Sequence, residues 1–341
     1  MDVESMQQWN ALNQYSTQFV ASIPITPEYA IDNEHLQVAF EMYFGSEFRA
    51  GADMVSKIIT DGVPRPRSRT PERIDRYGHR LTSTAKKYLT DRRHDAVKWC
   101  INDIMQEAGL VFECEAFNLF AAQIRQGLDQ QHGRWERRRQ GLIPDFMLQV
   151  TPSTRALMDV KTLCVCPSRY GAASKEPRSK AVEARQRSVQ REYLNKARHA
   201  DRVYNETPEG NTGPVERELH TYGRVRGLVA GAYGEMSTDA EWIMQMCARH
   251  AATRHWRQMG ARNPNEAKAV IIAKNRRRLG IEAVRSHAQL KMDRLRAERG
   301  GGNERQARQR RYESQRQHQA RRQHYFQYYF GGRHRDRGNG L

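Results

Sequence analysis

Apolar positions recur at helical spacing in several stretches of the chain. Between Asn33 and Phe44, residues Leu36, Ala39, Phe40 and Tyr43 fall at i, i+3, i+4 and i+7, and Gly45 follows as a stop. That pattern predicts a short helix. From Asp95 to Ala108 the apolar face is Val97, Ile101, Ile104, Met105 and Ala108, with Gly109 where a C-terminal cap belongs. The period then changes. Leu110 to Phe117 alternates and predicts a strand, and residues 146–150 and 156–163 predict two more around the turn cluster Thr151-Pro152-Ser153-Thr154. Helical spacing returns over Lys180–Tyr204, where Val182, Val189, Tyr193, Ala197 and Ala200 form a narrow stripe among charges. Val225–Tyr233 reads as an apolar, glycine-containing strand. Asp239–Met259 reads as a helix with Trp242, Ile243, Met246 and His250 on one side, and residues 265–298 as a further helix. Loops are expected around Pro24 and Pro27, over the proline- and arginine-rich residues 60–75, over the polar residues 123–141 (a loop or a lid), and over residues 205–214. The central order is helix, strand, strand, strand, helix, strand. It predicts an α/β fold whose mixed sheet holds both a hairpin and a crossover.

Composition narrows the function. The 341 residues carry a formal charge of +18 and only 38% apolar residues, which predicts a folded part and an unfolded part. The charge is uneven. Lys274–Leu341 holds 19 Lys/Arg against 6 Asp/Glu, a net of +13, leaving +5 for the first 273 residues. A basic tail on a near-balanced body points to a polyanionic partner. Beyond Gly300-Gly301-Gly302 the tail mixes arginines with aromatics such as Tyr325, Phe326, Tyr328 and Tyr329. That mixture suits contact with DNA and RNA alike, through phosphate neutralisation and base stacking. Lys274-Asn275-Arg276-Arg277-Arg278 reads as a nuclear import signal or a phosphate-binding patch, with a solvated helix face as the plainer alternative. No membrane span and no secretory signal are expected: no long apolar run occurs, and Met1-Asp2-Val3-Glu4-Ser5 is acidic. Five cysteines, an odd and sparse set, argue for a reducing compartment. Cys164-x-Cys166 lacks a second Cys/His pair at ligand spacing, so it predicts no zinc site. Gly227, Gly231 and Gly234 lack the spacing of a P-loop.

The candidate chemistry lies on the predicted hairpin. Pro144-Asp145 is followed, after thirteen residues, by Asp159-Val160-Lys161. Asp159 and Lys161 are two apart, so on a strand they share a face. If the hairpin folds symmetrically about Pro152, residue i pairs with residue 304 − i. Phe146 then meets Met158, Leu148 meets Ala156, and Asp145 lies opposite Asp159. A slip of one residue would separate the two acids, so the pattern requires an odd-length loop or a bulge. Paired carboxylates repel unless a cation neutralises them. Oxygen ligands with open positions suit Mg²⁺ or Mn²⁺. A neighbouring lysine can steady the charge of a phosphodiester transition state.

Pro-Asp, a spacer and Asp-x-Lys on a hairpin, in this order of elements, resemble the PD-(D/E)XK, restriction-endonuclease-like nucleases. The closer resemblance is to the endonuclease domains of non-LTR retrotransposons and covers about residues 30–260. It is carried by Arg93-His94-Asp95 before the first strand, by Glu115 with Asn118-Leu119-Phe120, by Ala181-Val182-Glu183 with Arg185, and by Glu192-Tyr193. Gly227-Leu228-Val229 and Gly231-Ala232-Tyr233-Gly234-Glu235 complete it. The resemblance implies a restriction-endonuclease-like core over residues 76–265. A helical N-terminal extension and linker (1–75) precede it, and a basic helix and tail (266–341) follow. It implies metal binding by Asp145, Asp159 and the Val160 carbonyl, with Lys161 as the catalytic lysine. A further acid is implied among Glu107, Glu113 and Glu115, and Glu115 is favoured. His94, Arg185, Gln186, Gln190 and Lys196, with Arg276, Arg277 and Arg278, are expected to contact nucleic acid; for His94 the alternative is a helix-start residue that caps or packs locally, and for the others a solvated face. The zinc knuckle common in that family is not matched: His79 stands in its histidine segment, but residues 58–75 hold no cysteine. The implied function is Mg²⁺-dependent nicking of DNA in the nucleus. The alternative is an inactive nuclease fold retained for binding nucleic acid.

Overall fold

The computed structural model describes residues 14–20, 30–60, 71–116, 119–124, 142–164 and 180–300. All but the first two residues of the loop or lid expected over residues 123–141, together with Cys166, the loop at Pro24 and Pro27, and the tail beyond Gly300, lie outside the described residues.

The elements, in chain order, are α1 (Asn33–Phe44), α2 (His79–Ser83), α3 (Lys87–Glu107), β1 (Phe112–Cys114), β2 (Phe146–Gln149), β3 (Arg155–Thr162), α4 (Lys180–Asn205), α5 (Pro214–Thr221), β4 (Arg226–Ala230), α6 (Thr238–His255) and α7 (Pro264–Glu298). Among the described residues, no helix is long and apolar enough to cross a membrane. The strands form one mixed sheet in the order β1-β2-β3-β4. The β1/β2 and β2/β3 pairings are antiparallel, and β3/β4 is parallel. A parallel neighbour requires a crossover, and α4 and α5 provide it.

The hairpin has the register that its spacing predicts. Phe146 pairs with Met158, Met147 with Leu157, Leu148 with Ala156 and Gln149 with Arg155. The five residues between the strands are closed by Val150 N–H donating to Thr154 O at 2.9 Å, and Thr151 Oγ1 accepts from Thr154 N–H at 3.0 Å. The loop is therefore odd in length, and the register carried one residue beyond Phe146 sets Asp145 opposite Asp159.

Both faces of β3 are covered, which explains the nearly unbroken apolar run Ala156-Leu157-Met158 and the buried Val160. Phe146, Leu148, Met158 and Val160 join Val97, Ile101, Ile104 and Met105 of α3 and Ile243, Met244 and Cys247 of α6 in one core. Leu157 joins the α4 stripe of Val189, Tyr193, Ala197 and Ala200, with Val215 and Leu219 of α5, in a second core on the opposite face. Each fully buried aliphatic or aromatic side chain contributes roughly 2–3 kcal/mol. The α4 helix approaches β4 closely: a Cβ on Gly227 would lie 2.9 Å from Gln186 Cα.

Several boundaries differ from the sequence expectation. The α3 helix begins at Lys87, so Arg93-His94-Asp95 lies within the helix, not at its start. The expected strand 110–117 shortens to Phe112–Cys114, because Glu115 turns the chain with a φ of 56°. The strand expected over 225–233 ends at Ala230. The α5 helix was not foreseen; eight residues with only Val215 and Leu219 as clear apolar marks are too few to reveal a period. Met1–Met292 forms one compact unit and Asp293–Leu341 another. Within the first, Leu279 and Ala283 of α7 share the core of α3 and the sheet. Ile281 and Val284 pack with Phe19 and with Ala39 of α1.

Candidate active site

Asp145 immediately precedes β2, and Asp159 and Lys161 lie on β3 across from it. Asp145 is fixed through both backbone and side chain. Its carbonyl accepts from Glu115 N–H at 2.9 Å, and its Oδ2 accepts from Val160 N–H at 2.7 Å. The third group comes from α3. His94 Nε2 lies 3.3 Å from Asp145 Oδ2 and 3.1 Å from the Val160 carbonyl oxygen. His94 Nδ1 lies 3.3 Å from Asp95 Oδ1. Burial lowers the proton affinity of His94, but its bonds to Asp145 and Asp95 outweigh this and raise its pKa to about 9. Burial pushes the Asp145 carboxyl up, yet His94 and the Val160 N–H hold it below the usual carboxylate range.

Asp159 has the opposite balance. Only 5% of the residue is exposed. Burial raises its carboxyl above the usual range, and the charge of Asp145 adds to that, against the opposing pull of Lys161 and Tyr193. Its Oδ2 is ion-paired with Lys161. Its Oδ1 accepts from the Tyr193 hydroxyl at 3.0 Å, a proton shared with the Ile143 carbonyl at 3.1 Å. Two neighbouring carboxyls are thus driven apart in proton affinity, as is common where charge is concentrated for function.

The α4 helix lines the other side. The Lys196 ammonium lies 5.1 Å from the centroid of the Tyr193 ring. Burial, with the charges of Lys161 and Arg185, lowers its proton affinity despite Asp159 and Glu192. Arg185 bonds Ser188 Oγ at 2.7 Å and pairs with Glu192 one face along the same helix. Burial raises the Glu192 carboxyl, but Arg185, Lys161 and Lys196 bring it below its ordinary value. Lys161, Lys196 and Arg185 thus lie near one another beside the buried acids, with Lys161 paired to Asp159 and Arg185 to Glu192.

Other expected residues are committed within the fold. The Glu115 carboxylate accepts from Lys98 Nζ at 2.6 Å. Among the described residues, Glu115, Asp145 and Asp159 do not gather into a three-ligand group within 4.8 Å. The favoured third acid is thus drawn away by a lysine one helical turn past His94. Gln190 Oε1 accepts from Val225 N–H at 2.5 Å and pins the entry to β4. Gln186 Oε1 accepts from Asp239 N–H at 2.9 Å at the start of α6. Arg276 pairs with Glu241, and Arg278 with Glu107 and Asp103. Arg277 is half-buried. The supposed basic patch therefore spends two of its three arginines on intramolecular pairs. His79 N–H donates to Asp75 Oδ2 at 3.1 Å and its ring stacks on Tyr77, so it serves the start of α2. The Asp32, Glu34 and His35 group is compact enough for a cation, but it is the N-cap of α1, with Asp32 Oδ1 accepting from His35 N–H at 3.0 Å.

The sequence assigned no role to two residues here. Arg93, 2% exposed, donates to Leu163 O at 2.5 Å and Gly231 O at 2.6 Å, and so ties α3 to the ends of β3 and β4. Lys98 follows His94 by four residues and faces the same way, a relation visible in the spacing once the helix is extended to include both. The chain matches no family model, no curated protein and no solved structure.

Proposed function

We propose that this chain is a divalent-cation-dependent DNA endonuclease with a restriction-endonuclease-like core, related to the endonuclease domains of non-LTR retrotransposons. The observation that carries the reading is the hairpin register. It sets Asp145 against Asp159 and leaves Lys161 two residues on, in a sheet whose strand order and directions suit that core. The donor set fits a cation: two buried carboxylates of unequal proton affinity stand beside the carbonyl of Val160, and Asp159 carries charge that burial disfavours. Asp145, Asp159 and the Val160 carbonyl would hold it. Mg²⁺ or Mn²⁺ bound there would supply Lewis-acid stabilisation and a water of lowered pKa for hydrolysis of a phosphodiester.

The remaining work falls to side chains. Lys161 would steady negative charge at the scissile phosphate. Lys196 and Arg185 would lie along the DNA backbone, and the basic tail adds affinity for DNA or RNA without selecting sequence. Tyr193 holds Asp159 in orientation. Nuclear residence is part of the same proposal.

The test is nicking of supercoiled plasmid by the full chain with Mg²⁺ and with Mn²⁺. Wild type should nick, while Asp159→Ala and Lys161→Ala should lose at least about 100-fold in rate, the scale expected for removing charge stabilisation from a transition state. Equal nicking by wild type and Asp159→Ala would sink the assignment. One observation favours the second reading, a binding protein without catalysis: Asp159 is held by Lys161 and Tyr193 rather than gathered with two other ligands. Cation-independent DNA binding without nicking would select it.

A further inference from the structure

We propose that His94 is itself a cation ligand, and that it makes the site prefer Mn²⁺ to Mg²⁺. This rests on the reading of the hairpin as a cation site and adds a side-chain donor beside Asp145 Oδ2 and the Val160 carbonyl; Asp159 does not gather with His94 and Asp145 within 4.8 Å.

The geometry carries it. His94 Nε2 lies 3.3 Å from Asp145 Oδ2 and 3.1 Å from Val160 O. Two ligands on adjacent corners of an octahedron, with bonds of roughly 2.1–2.2 Å, lie about 3.0 Å apart. The three atoms thus stand close to the spacing of adjacent corners around one ion, and the cation takes the place of the Nε2 proton that bonds them in the free protein, releasing it to solvent. The opposite ring nitrogen is also provided for. Asp95 Oδ1 lies 3.3 Å from Nδ1, the carboxylate partner that orients a metal-bound imidazole and fixes its tautomer. The ring is carried on a firmly held backbone, because Arg93, its neighbour, anchors α3 to Leu163 O and Gly231 O. Glu115, the acid expected in this role, is engaged by Lys98 instead.

The ligand set then selects the metal. Mg²⁺ favours oxygen donors and keeps much of its water. Imidazole nitrogen suits first-row transition ions, while carboxylate and carbonyl oxygens suit Mn²⁺ and Mg²⁺ alike. A site with one nitrogen and several oxygens therefore discriminates through His94. Asp145 and the Val160 carbonyl bind either ion.

Binding of Mn²⁺ and Mg²⁺ to the full chain tests this without any nuclease substrate. Free Mn²⁺ is followed by its electron paramagnetic resonance signal, Mg²⁺ by competition. Wild type should bind Mn²⁺ at least about tenfold more tightly than Mg²⁺. His94→Ala should erase that preference by weakening Mn²⁺ at least about tenfold, with the Mg²⁺ constant changed less than about threefold. Pulsed resonance of bound Mn²⁺ should show nitrogen modulation whose frequency changes when the wild-type protein is labelled with ¹⁵N-histidine, a readout that needs no variant to fold. Absence of nitrogen coupling in wild type, or unchanged Mn²⁺ affinity in a folded His94→Ala, overturns the role of His94 while leaving the aspartate site standing. Failure of wild type to bind either ion overturns the site reading and this inference together.

Discussion

Lys291 offers a quantitative check on the packing of α7. It is 2% exposed, and its ammonium sits 4.8 Å from the centroid of the Phe48 ring. Burial pushes its pKa from 10.5 down to about 8, although Asp75 and Glu41 pull the other way. His287, one turn earlier, is fully buried and is held neutral by burial and by the charges of Arg93, Lys291 and His79. The unfolded chain therefore holds the Lys291 proton more tightly than the native one. This penalty on the native state is full below about pH 8 and disappears as pH rises through 10.5. A difference of about 2.5 pKa units corresponds to roughly 3 kcal/mol. Lys291→Met keeps the length of the side chain and its contact with Phe48 but removes the ammonium. Its expected effect at pH 7 is a stabilisation of roughly 2–3 kcal/mol, shrinking toward zero near pH 10.5. Urea unfolding of both proteins at pH 7 and at pH 10 measures it, since ionisations common to the two cancel in the difference. A variant less stable at pH 7, or a difference that stays constant with pH, would refute the argument that burial of the charge governs this position.

Two further outcomes follow from the packing around the site. Gly227→Ala places a methyl 2.9 Å from Gln186 Cα and 3.0 Å from Val189 Cγ2. It should cost roughly 1–3 kcal/mol by forcing α4 from the sheet, and should weaken cation binding as well, because α4 carries Tyr193; unfolding and Mn²⁺ titration that both match wild type would contradict this. Tyr193→Phe removes the hydroxyl donor of the buried Asp159 carboxylate and should destabilise by roughly 1–3 kcal/mol, with a denaturation midpoint equal to wild type as the contrary result.

Much of the architecture was legible because it is written locally. The 3.6-residue stripe of α4 from Val182 to Ala200 and the bounds of α1 follow from periodicity and a glycine stop. The hairpin register follows from the alternation of Phe146, Leu148 and Met158 with an odd loop between them. These facts also set Asp145 against Asp159 and put Lys161 on the same face. The juxtaposition of Asp145, Asp159 and Lys161 was therefore readable in the chain.

What only the tertiary structure decided depends on groups far apart in sequence. Glu115 looked like a ligand until Lys98 met it, across 17 residues. Arg276 and Arg278 looked like a basic patch until Glu241 and Glu107 met them, the second pair 171 residues apart. His94 looked like a helix-start residue until β3 brought the Val160 carbonyl to its ring, 66 residues on. The reason is physical. Periodicity reports which face of an element is apolar, and that face is set by neighbours within a turn or a pleat. A charged or polar side chain can be satisfied by water, by phosphate or by any partner the fold delivers. Its choice depends on the three-dimensional arrangement of backbone and charge, which the order of residues alone does not display.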